Sequence, residues 1–294
     1  MSQSHRVSVL AALLRRLELE KIEENLFRGE SQDLGFGAVF GGQVLGQSLS
    51  AASQTVPEGR AAHSLHAYFL RAGDARRPIV YQVEATRDGR SFSTRRVTAI
   101  QKGRPIFTMT ASFQVPEEGF SHRAPIPAEV PGPEGLESEL DIARRLADRI
   151  PEPLRAKLTA ERPIELRQVN PVDPFAPDLR EPRKHMWMRA AGPLPDDPAI
   201  HRYLLAYASD FQLVGASLLP HGHTFWEPGM KVASVDHAIW FHRPFRMDEW
   251  LLHTMDSPSA SGGRGFNRGQ IFTADGILVA SVAQEGLIRE RTRK

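Results

Sequence analysis

The sequence predicts an α+β fold made of two tandem copies of one unit, each a helix followed by a curved antiparallel sheet. Three observations predict it. An order of helix, strand, strand, glycine turn and hairpin occurs twice, and a proline-rich stretch separates the two occurrences. The third is composition: 41% hydrophobic residues over 294 positions suffice for a sizeable core and argue against general disorder.

The elements follow in chain order. Val7–Ile22 reads as an amphipathic helix, with Val9, Leu10, Leu13, Leu14, Leu17 and Leu19 interleaved with Arg and Glu. The first copy opens with a helix over Gly41–Gln54, ended by Val56 and Pro57. Strands follow at His63–Arg71 and Ile79–Thr86, then a glycine turn at Gly89–Phe92. The copy closes with a hairpin, Phe92–Gln101 and Pro105–Val115, around Lys102, Gly103 and Arg104. From Val115 to Pro182 the chain is rich in Pro and Glu, carries one helical candidate, Leu136–Arg149, and reads as a linker. The expected division is therefore residues 1–115, a linker over 116–182, and residues 183–294.

The second copy repeats the order. A helix over His201–Leu219 ends at Pro220, His221 and Gly222, and strands follow at Ser234–Arg243 and Glu249–Met255. A glycine turn at Gly263–Phe266 leads into a hairpin, Phe266–Phe272 and Ile277–Leu287, around Asp275-Gly276, a preferred two-residue hairpin signal. The helix Gly41–Gln54 is rich in small residues (Gly42, Gly46, Ser48, Ser50, Ala51, Ala52), which permit the close backbone approach expected where a sheet curls around a helix. One helix wrapped by such a sheet is the hot-dog architecture. Two copies with their sheets side by side make a tandem double hot-dog.

Several function classes are excluded by what is missing. Cysteine is absent, which removes disulfides, thiolate nucleophiles, iron–sulfur clusters and Cys-ligated zinc. The net charge is +2 with Arg scattered beside acids, so no nucleic-acid partner is expected. Apolar stretches fall far short of the ~20 residues of a membrane span. Met1–Arg6 has no basic region leading into a long apolar one, and Arg291–Lys294 is no Ser-Lys-Leu address, so a cytoplasmic location is expected. Neither a Gly-x-Ser-x-Gly elbow, nor a phosphate-binding Gly-x-x-x-x-Gly-Lys loop, nor His-Glu-x-x-His occurs. Gly35, Gly37, Gly41 and Gly42 loosely imitate a dinucleotide fingerprint, but the preceding Arg28–Asp33 is polar and is no buried strand. No metal site is expected. His237 and His242 stand five apart on a strand, hence on opposite faces, and only Glu227 lies near His221 and His223.

Three residues break the apolar pattern. In a continuous helix Asp210 has Ala206, Tyr207, Leu213 and Val214 as its neighbours three and four positions away, so its face is apolar. A carboxylate there is either a base in a partly dry cleft or a helix-interior Asp meeting a local donor or solvent. Gln284 shares its strand face with Leu278, Ala280, Val282, Gly286 and Ile288, and a buried amide needs partners for both oxygen and nitrogen. It is either catalytic or a structural tie. Ser234 opens a strand, where a hydroxyl is commonly just a turn or edge group. The adjacent Asp236 and His237 suggest a Ser–His–Asp triad, but neighbours on a strand point to opposite faces.

These positions lie in stretches that closely resemble the acyl-CoA thioesterase II family. The resemblance runs from Leu17–Ile22 to Gln284–Arg289, and its distinctive stretches are Val39–Val44, His63–His66, Tyr68–Arg71, Arg87–Phe92, Ala208–Asp210, Asp236–Phe245 and Ala283–Gly286. It implies a double hot-dog fold and hydrolysis of fatty acyl-CoA, medium- to long-chain, to free acid and CoA, with no cofactor. The family's catalytic Asp, Thr or Ser, and Gln map onto Asp210, Ser234 and Gln284, where Ser replaces the Thr of close bacterial relatives. Asp210 would take a proton from water, and Ser234 and Gln284 would hold that water. Gly41 and Gly42, opening the first helix, are candidate oxyanion donors, and His63 is a candidate substrate contact. Arg71, Arg90, Arg95 and Arg96 are candidates for the CoA phosphates, and a homodimer or homotetramer is implied.

Two further readings stay open. A hot-dog hydratase or dehydratase would place His63 or His237 at the centre of the chemistry. A non-catalytic acyl-CoA-binding protein would keep the shell alone.

Overall fold

A computed structural model of the chain describes residues 3–35, 37–225, 227 and 229–290. Met1 and Ser2, Phe36 within the glycine-rich stretch and the last four residues, on which the targeting expectations rested, lie outside them. The chain runs α1 (Gln3–Leu17), β1 (Glu20–Glu23), β2 (Leu26–Gly29), α2 (Gly41–Ser53), β3 (Ala61–Phe69), β4 (Ile79–Asp88), β5 (Phe92–Gln101) and β6 (Arg104–Gln114). It continues through α3 (Glu139–Arg145), α4 (Glu152–Leu158), β7 (Ile164–Gln168), β8 (Arg183–Ala190) and α5 (Pro198–Ala208). The last strands are β9 (Met230–Ser234), β10 (Asp236–Phe241), β11 (Leu251–Ser261), β12 (Arg264–Thr273) and β13 (Leu278–Glu290).

The repeat is visible in the topology. All the described strands form one open sheet in the order β1-β2-β4-β5-β6-β3-β10-β13-β12-β11-β8-β7, with β9 on β13. The two halves are mirror lists of each other about the antiparallel β3–β10 seam, where Leu65 pairs with Ile239 and Tyr68 with Asp236. The side-by-side sheets of the expected double hot-dog are thus joined by backbone hydrogen bonds into one. Alternation along the strands turns Ile79, Tyr81, Val97, Ala99, Phe107, Met109 and Leu65 inward, and Ile239, Ile271, Ala280 and Val282 do the same in the second half. They share one core with Leu45 and Leu49 of α2 and Leu204 and Leu205 of α5.

Four expectations need correction. The stretch 116–182 carries two short helices and β7 as well as loops, and β7 completes the sheet edge against β8. The strand pair β1–β2, which precedes α2 as β7–β8 precedes α5, also escaped the pattern, because each of the two strands is only four residues long. The second helix stops at Ala208, and short 3₁₀ turns at Val214–Ser217 and Leu219–His221 replace its second half. The chain turns there through Gln212, which is left-handed at φ +64°. The β12–β13 turn is one residue longer than a two-residue hairpin, because Thr273 N donates to Ile277 O and Gly276 takes φ +84°. Lys102 and Gly103, by contrast, both have positive φ, as a two-residue hairpin turn requires.

The small residues of α2 serve a different approach from the one expected. A Cβ on Gly42 would lie 2.1 Å from Tyr207 O, and one on Gly46 would lie 2.9 Å from Tyr203 O. The glycines therefore face α5, and the two central helices touch backbone to backbone. The sheet side of α2 instead carries larger groups: Tyr81 Oη donates to Gln47 Oε1 at 2.6 Å, and Gln47 Nε2 donates to Arg16 O at 2.8 Å and Glu30 O at 2.9 Å. At the other end Arg95 donates to Thr55 O at 2.8 Å and pairs with Asp88 at 3.0 Å, placing a cation at the negative end of α2.

Two predictions follow from this packing. Gly42→Ala should cost about 1–3 kcal/mol, an overpacking penalty, and Gly46→Ala less, as read from urea midpoints. His253 is fully buried with both ring nitrogens unpartnered, and burial, reinforced by His237, lowers its pKa from 6.5 to about 3. The unfolded chain therefore binds a proton below pH 6.5 that the native ring refuses. Its contribution is complete above that pH and drains, at about 1.4 kcal/mol per pH unit, until pH 3. His253→Leu should flatten the acid side of the stability curve by that one-proton slope, measured as urea midpoints between pH 7 and 4.

Candidate active site

The site is assembled where the N-terminus of α2 meets the end of α5. Ser209 caps α5, and Asp210 follows it in the turn. The carboxylate is inward-facing, its side chain only 5% exposed. The continuous-helix argument anticipated this burial, although the helix has already ended. Asp210 Oδ2 accepts Gly42 N–H at 3.0 Å, and Oδ1 accepts Gln284 Nε2 at 2.7 Å and Ser234 Oγ at 3.3 Å. Gln284 Nε2 also donates to Ser234 Oγ at 3.1 Å. Asp210, Ser234 and Gln284, 74 residues apart at the extremes, thus share one hydrogen-bonded cluster.

Each group is aimed by its strand. Gln284 is on the inward face of β13 and fully buried. Ser234 ends β9 opposite Gly286, and Val235 breaks the strand by donating to Glu285 O while its carbonyl accepts from Phe69 N. After that break Asp236 accepts Glu285 N–H at 2.7 Å, and His237 turns inward at 1% exposure. Asp236 and His237 therefore do point apart, and no triad forms between Ser234 and that pair. A different juxtaposition does exist: His237 Nδ1 lies 3.9 Å from Asp210 Oδ1, and its Nε2 lies 2.9 Å from Ser209 Oγ. Ser209 was missed because the helix was expected to run on to Leu219, which made it an ordinary helix-interior hydroxyl.

Two opposed effects set the charge of Asp210. Burial raises its pKa, while the hydrogen bonds from Gln284, Gly42 and Ser234 pull it down, and the net shift is upward. The positive end of α2 favours the ionised form at the same place. His237 is kept neutral, its pKa lowered by burial to about 3. Phe40 stacks on Phe211 with ring centroids 4.5 Å apart and meets Tyr207 edge-on, forming an apolar wall beside the carboxylate.

The other expected residues divide by place. Gly41 borders the cluster, since a Cβ there would lie 2.6 Å from Asp210 Oδ2. Gly42 gives its N–H to that oxygen, which removes it as the expected oxyanion donor. His63 sits at a bulge of β3 and bonds Ser112 Oγ at 2.8 Å on the outer face of the sheet, away from α2. Arg95 is not a surface cation: it is 1% exposed and committed to Asp88 and Thr55. Arg90 lies at the β4–β5 turn, the opposite end of β5 from Lys102, and Arg96 is exposed on the outer face opposite Glu84. Arg71 follows two residues after Phe69, whose N–H is held by Val235 O beside Ser234, and its guanidinium donates to Pro105 O at 2.7 Å. It belongs to a basic rim that sequence reasoning missed, with Arg76, Arg77 and Lys102 gathered around Asp74 at 3.2, 3.4 and 3.4 Å. This loop supports the start of α2 through Val39 N–H to Gly73 O at 2.9 Å.

Among the described residues no group of three or more His, Asp or Glu side chains could hold a metal ion, and no helix is long and apolar enough to cross a membrane. His223, one of the candidate ligands, instead pairs with Glu227 at 2.5 Å and Glu290 at 3.2 Å.

Comparison with known proteins places this architecture. Residues 153–287 match the family model for acyl-CoA thioesterase, and residues 30–114 match that for the acyl-CoA thioesterase N-terminal domain. Acyl-CoA thioesterase 2 of Haemophilus influenzae is 50% identical over 96% of this chain and 98% of its own. Acyl-coenzyme A thioesterase 8 of Homo sapiens is 42% identical over 93% of this chain and 87% of its own. The crystal structure of the acyl-CoA thioesterase II TesB2 from Mycobacterium marinum superposes with a TM-score of 0.77 at 43% identity, covering 95% and 98% of the two chains. A hot-dog protein from Alicyclobacillus acidocaldarius, at 21% identity and TM-score 0.76 over 96% of this chain and 99% of its own, shares the fold. The chain belongs to the acyl-CoA thioesterase II family.

Proposed function

We propose that the protein hydrolyses medium- to long-chain fatty acyl-CoA to free acid and CoA through a water molecule activated by Asp210. The observation that carries this reading is the cluster of a buried carboxylate, a hydroxyl and an amide linked at 2.7–3.3 Å. A thioester is reactive enough towards water that no acyl-enzyme intermediate is needed. The water oxygen bonds to the thioester carbon while Asp210 takes one of its protons. The carbon–sulfur bond then breaks, and the same proton goes to the departing CoA sulfur, which regenerates the carboxylate.

The hydrogen bonds support the following roles for the neighbours of Asp210. Gln284 spends both amide hydrogens on Asp210 and Ser234, which leaves Oε1, buried and without a partner, to accept from water. Ser234 donates to Asp210 and so fixes the rotation of the carboxylate. Gly41 N–H, next to the committed Gly42, is the helix-terminal donor left for the oxyanion. The wall of Phe40, Phe211 and Tyr207 suits an apolar acyl chain. Arg71, Arg76, Arg77 and Lys102 form the rim that would receive the CoA phosphates, at the end of the sheet where α2 begins.

Hydration or dehydration is less well supported, because it needs a histidine at the substrate. His237 is buried behind Asp210, and His63 is on the outer face of the sheet. A binding protein without turnover would release no thiol.

Asp210→Asn should keep the fold and lose about 10²–10⁴-fold in kcat, followed by thiol release from acyl-CoA, and full activity in that variant would refute the mechanism. Charge reversal at the rim, Arg76→Glu with Arg77→Glu, should raise KM for acyl-CoA about tenfold with kcat nearly unchanged. Acyl-N-acetylcysteamine, which has no phosphates, should show no change. An equal loss on both substrates would remove the rim from phosphate binding.

A further inference from the structure

Two buried groups beside the site have no part in the steps above: His237 and Ser209. His237 Nδ1 has no hydrogen-bond partner and lies 3.9 Å from Asp210 Oδ1. Its Nε2 is 2.9 Å from Ser209 Oγ, which is itself 3.1 Å from Ala206 O. Both residues are at most 1% exposed.

The single hydroxyl proton of Ser209 decides the state of the ring. Given to Ala206 O, it obliges Nε2 to carry the imidazole proton, and a bare Nδ1 lone pair then faces a carboxylate oxygen, which repels it. Given to Nε2, the nearer acceptor, it leaves the proton on Nδ1, and an N–H dipole points at the carboxylate. In a site shielded from water the charge–dipole attraction outweighs a bond to one helix carbonyl.

We propose that His237 is a positioning residue for Asp210, held by Ser209 as the Nδ1–H tautomer so that its dipole keeps the carboxylate ionised and ready to take a proton. A neutral donor suits a base better than a cation would. An imidazolium at this distance would stabilise the carboxylate so strongly that it would no longer accept a proton from water.

Few other charges complicate the test. Facing His237 are Asp210 from the turn after α5 and His253 from β11. Facing Asp210 besides His237 are the uncharged Gly42 N–H from α2, Ser234 from β9 and Gln284 from β13. Asp236 is turned to the other face and bonded to Glu285 N. Burial holds both histidines neutral down to about pH 3, so an acid limb at higher pH reports Asp210.

The inference rests on Asp210 as the base, and the experiment separates the two claims. The pH dependence of kcat at saturating acyl-CoA is measured for the natural protein and for Asp210→Asn, His237→Leu, His237→Asn and Ser209→Ala. His237→Leu, which removes the donor, should move the acid limb to higher pH by about one unit, a tenfold loss on that limb, with KM within about twofold. His237→Asn, whose amide nitrogen occupies the place of Nδ1, should restore the natural limb, and Ser209→Ala should move it in the same direction as His237→Leu but less. A limb that stays in place or moves to lower pH in His237→Leu overturns the proposal. If that variant fails to fold, Ser209→Ala decides by the same criterion. Full turnover by Asp210→Asn would instead refute the mechanism itself, whereas an inactive Asp210→Asn beside an unmoved His237→Leu limb overturns the role of His237 alone.

Discussion

The hydrogen bond from Gly42 N–H to Asp210 Oδ2 is the contact on which the rest of the site depends. It needs the first turn of α2 and the end of α5 within 3.0 Å of each other through one backbone donor and one side-chain acceptor. That is possible only because Gly42 and Gly46 let the helices meet without intervening Cβ atoms. The same contact puts the carboxylate at the positive end of α2, where the unpaired N–H groups of a helix start favour negative charge. A carboxylate in apolar surroundings would otherwise neutralise itself by holding a proton. Here the donors from α2, β9 and β13 moderate that tendency without cancelling it, which suits the role of proposed base.

The duplication is therefore symmetric in backbone and asymmetric in chemistry. Matching strands about the β3–β10 seam sets Leu65, Ala111 and Arg95 of the first half in the same inward places as His237, Gln284 and Asn267 of the second. The first half fills those places with apolar groups and an arginine sealed by Asp88 and the end of α2. The second fills them with neutral polar groups, of which Gln284 and His237 approach Asp210. Asn267 belongs to this polar set, accepting Ser217 N–H at 3.1 Å and donating to Gly265 O at 3.1 Å, which ties a 3₁₀ turn to β12. Although the catalytic candidates all come from the second half, the first contributes the helix terminus that steadies the carboxylate.

Buried polar groups of this kind cost stability unless every donor and acceptor is matched. Unmatched buried atoms occur near the site, at Gln284 Oε1, His237 Nδ1 and both nitrogens of His253, and also away from it, as at Ser48 Oγ, Arg155 Nε and His185 Nδ1. Gln47, by contrast, is satisfied by Tyr81, Arg16 and Glu30. At the site the unpartnered Gln284 Oε1 is the acceptor that the proposed water would satisfy.

The sequence by itself determined the duplication, the hairpins and the identity of the odd polar residues. Those features are written in local terms: period-two alternation, turn glycines, and a carboxylate and an amide where apolar residues are due. Resemblance supplied the grouping of Asp210, Ser234 and Gln284, which no spacing along the chain could provide. The end of the second helix at Ala208 was not legible, because apolar residues continue at helical spacing through Tyr203–Leu219 and no Gly or Pro precedes Gly215. Strand β7 was hidden by its five-residue length among prolines, and it exists because β8 offers a sheet edge. The arginines were misjudged for a similar reason. Whether a cation is buried like Arg95 or displayed like Arg76 depends on which neighbour the fold brings to it. Tertiary structure alone decided that α2 would face α5 through its glycines, that one of their N–H groups would hold the Asp210 carboxylate, and that His237 would stand behind it. Each of these is a contact between segments far apart in the chain, and local pattern carries no information about which distant atoms will meet.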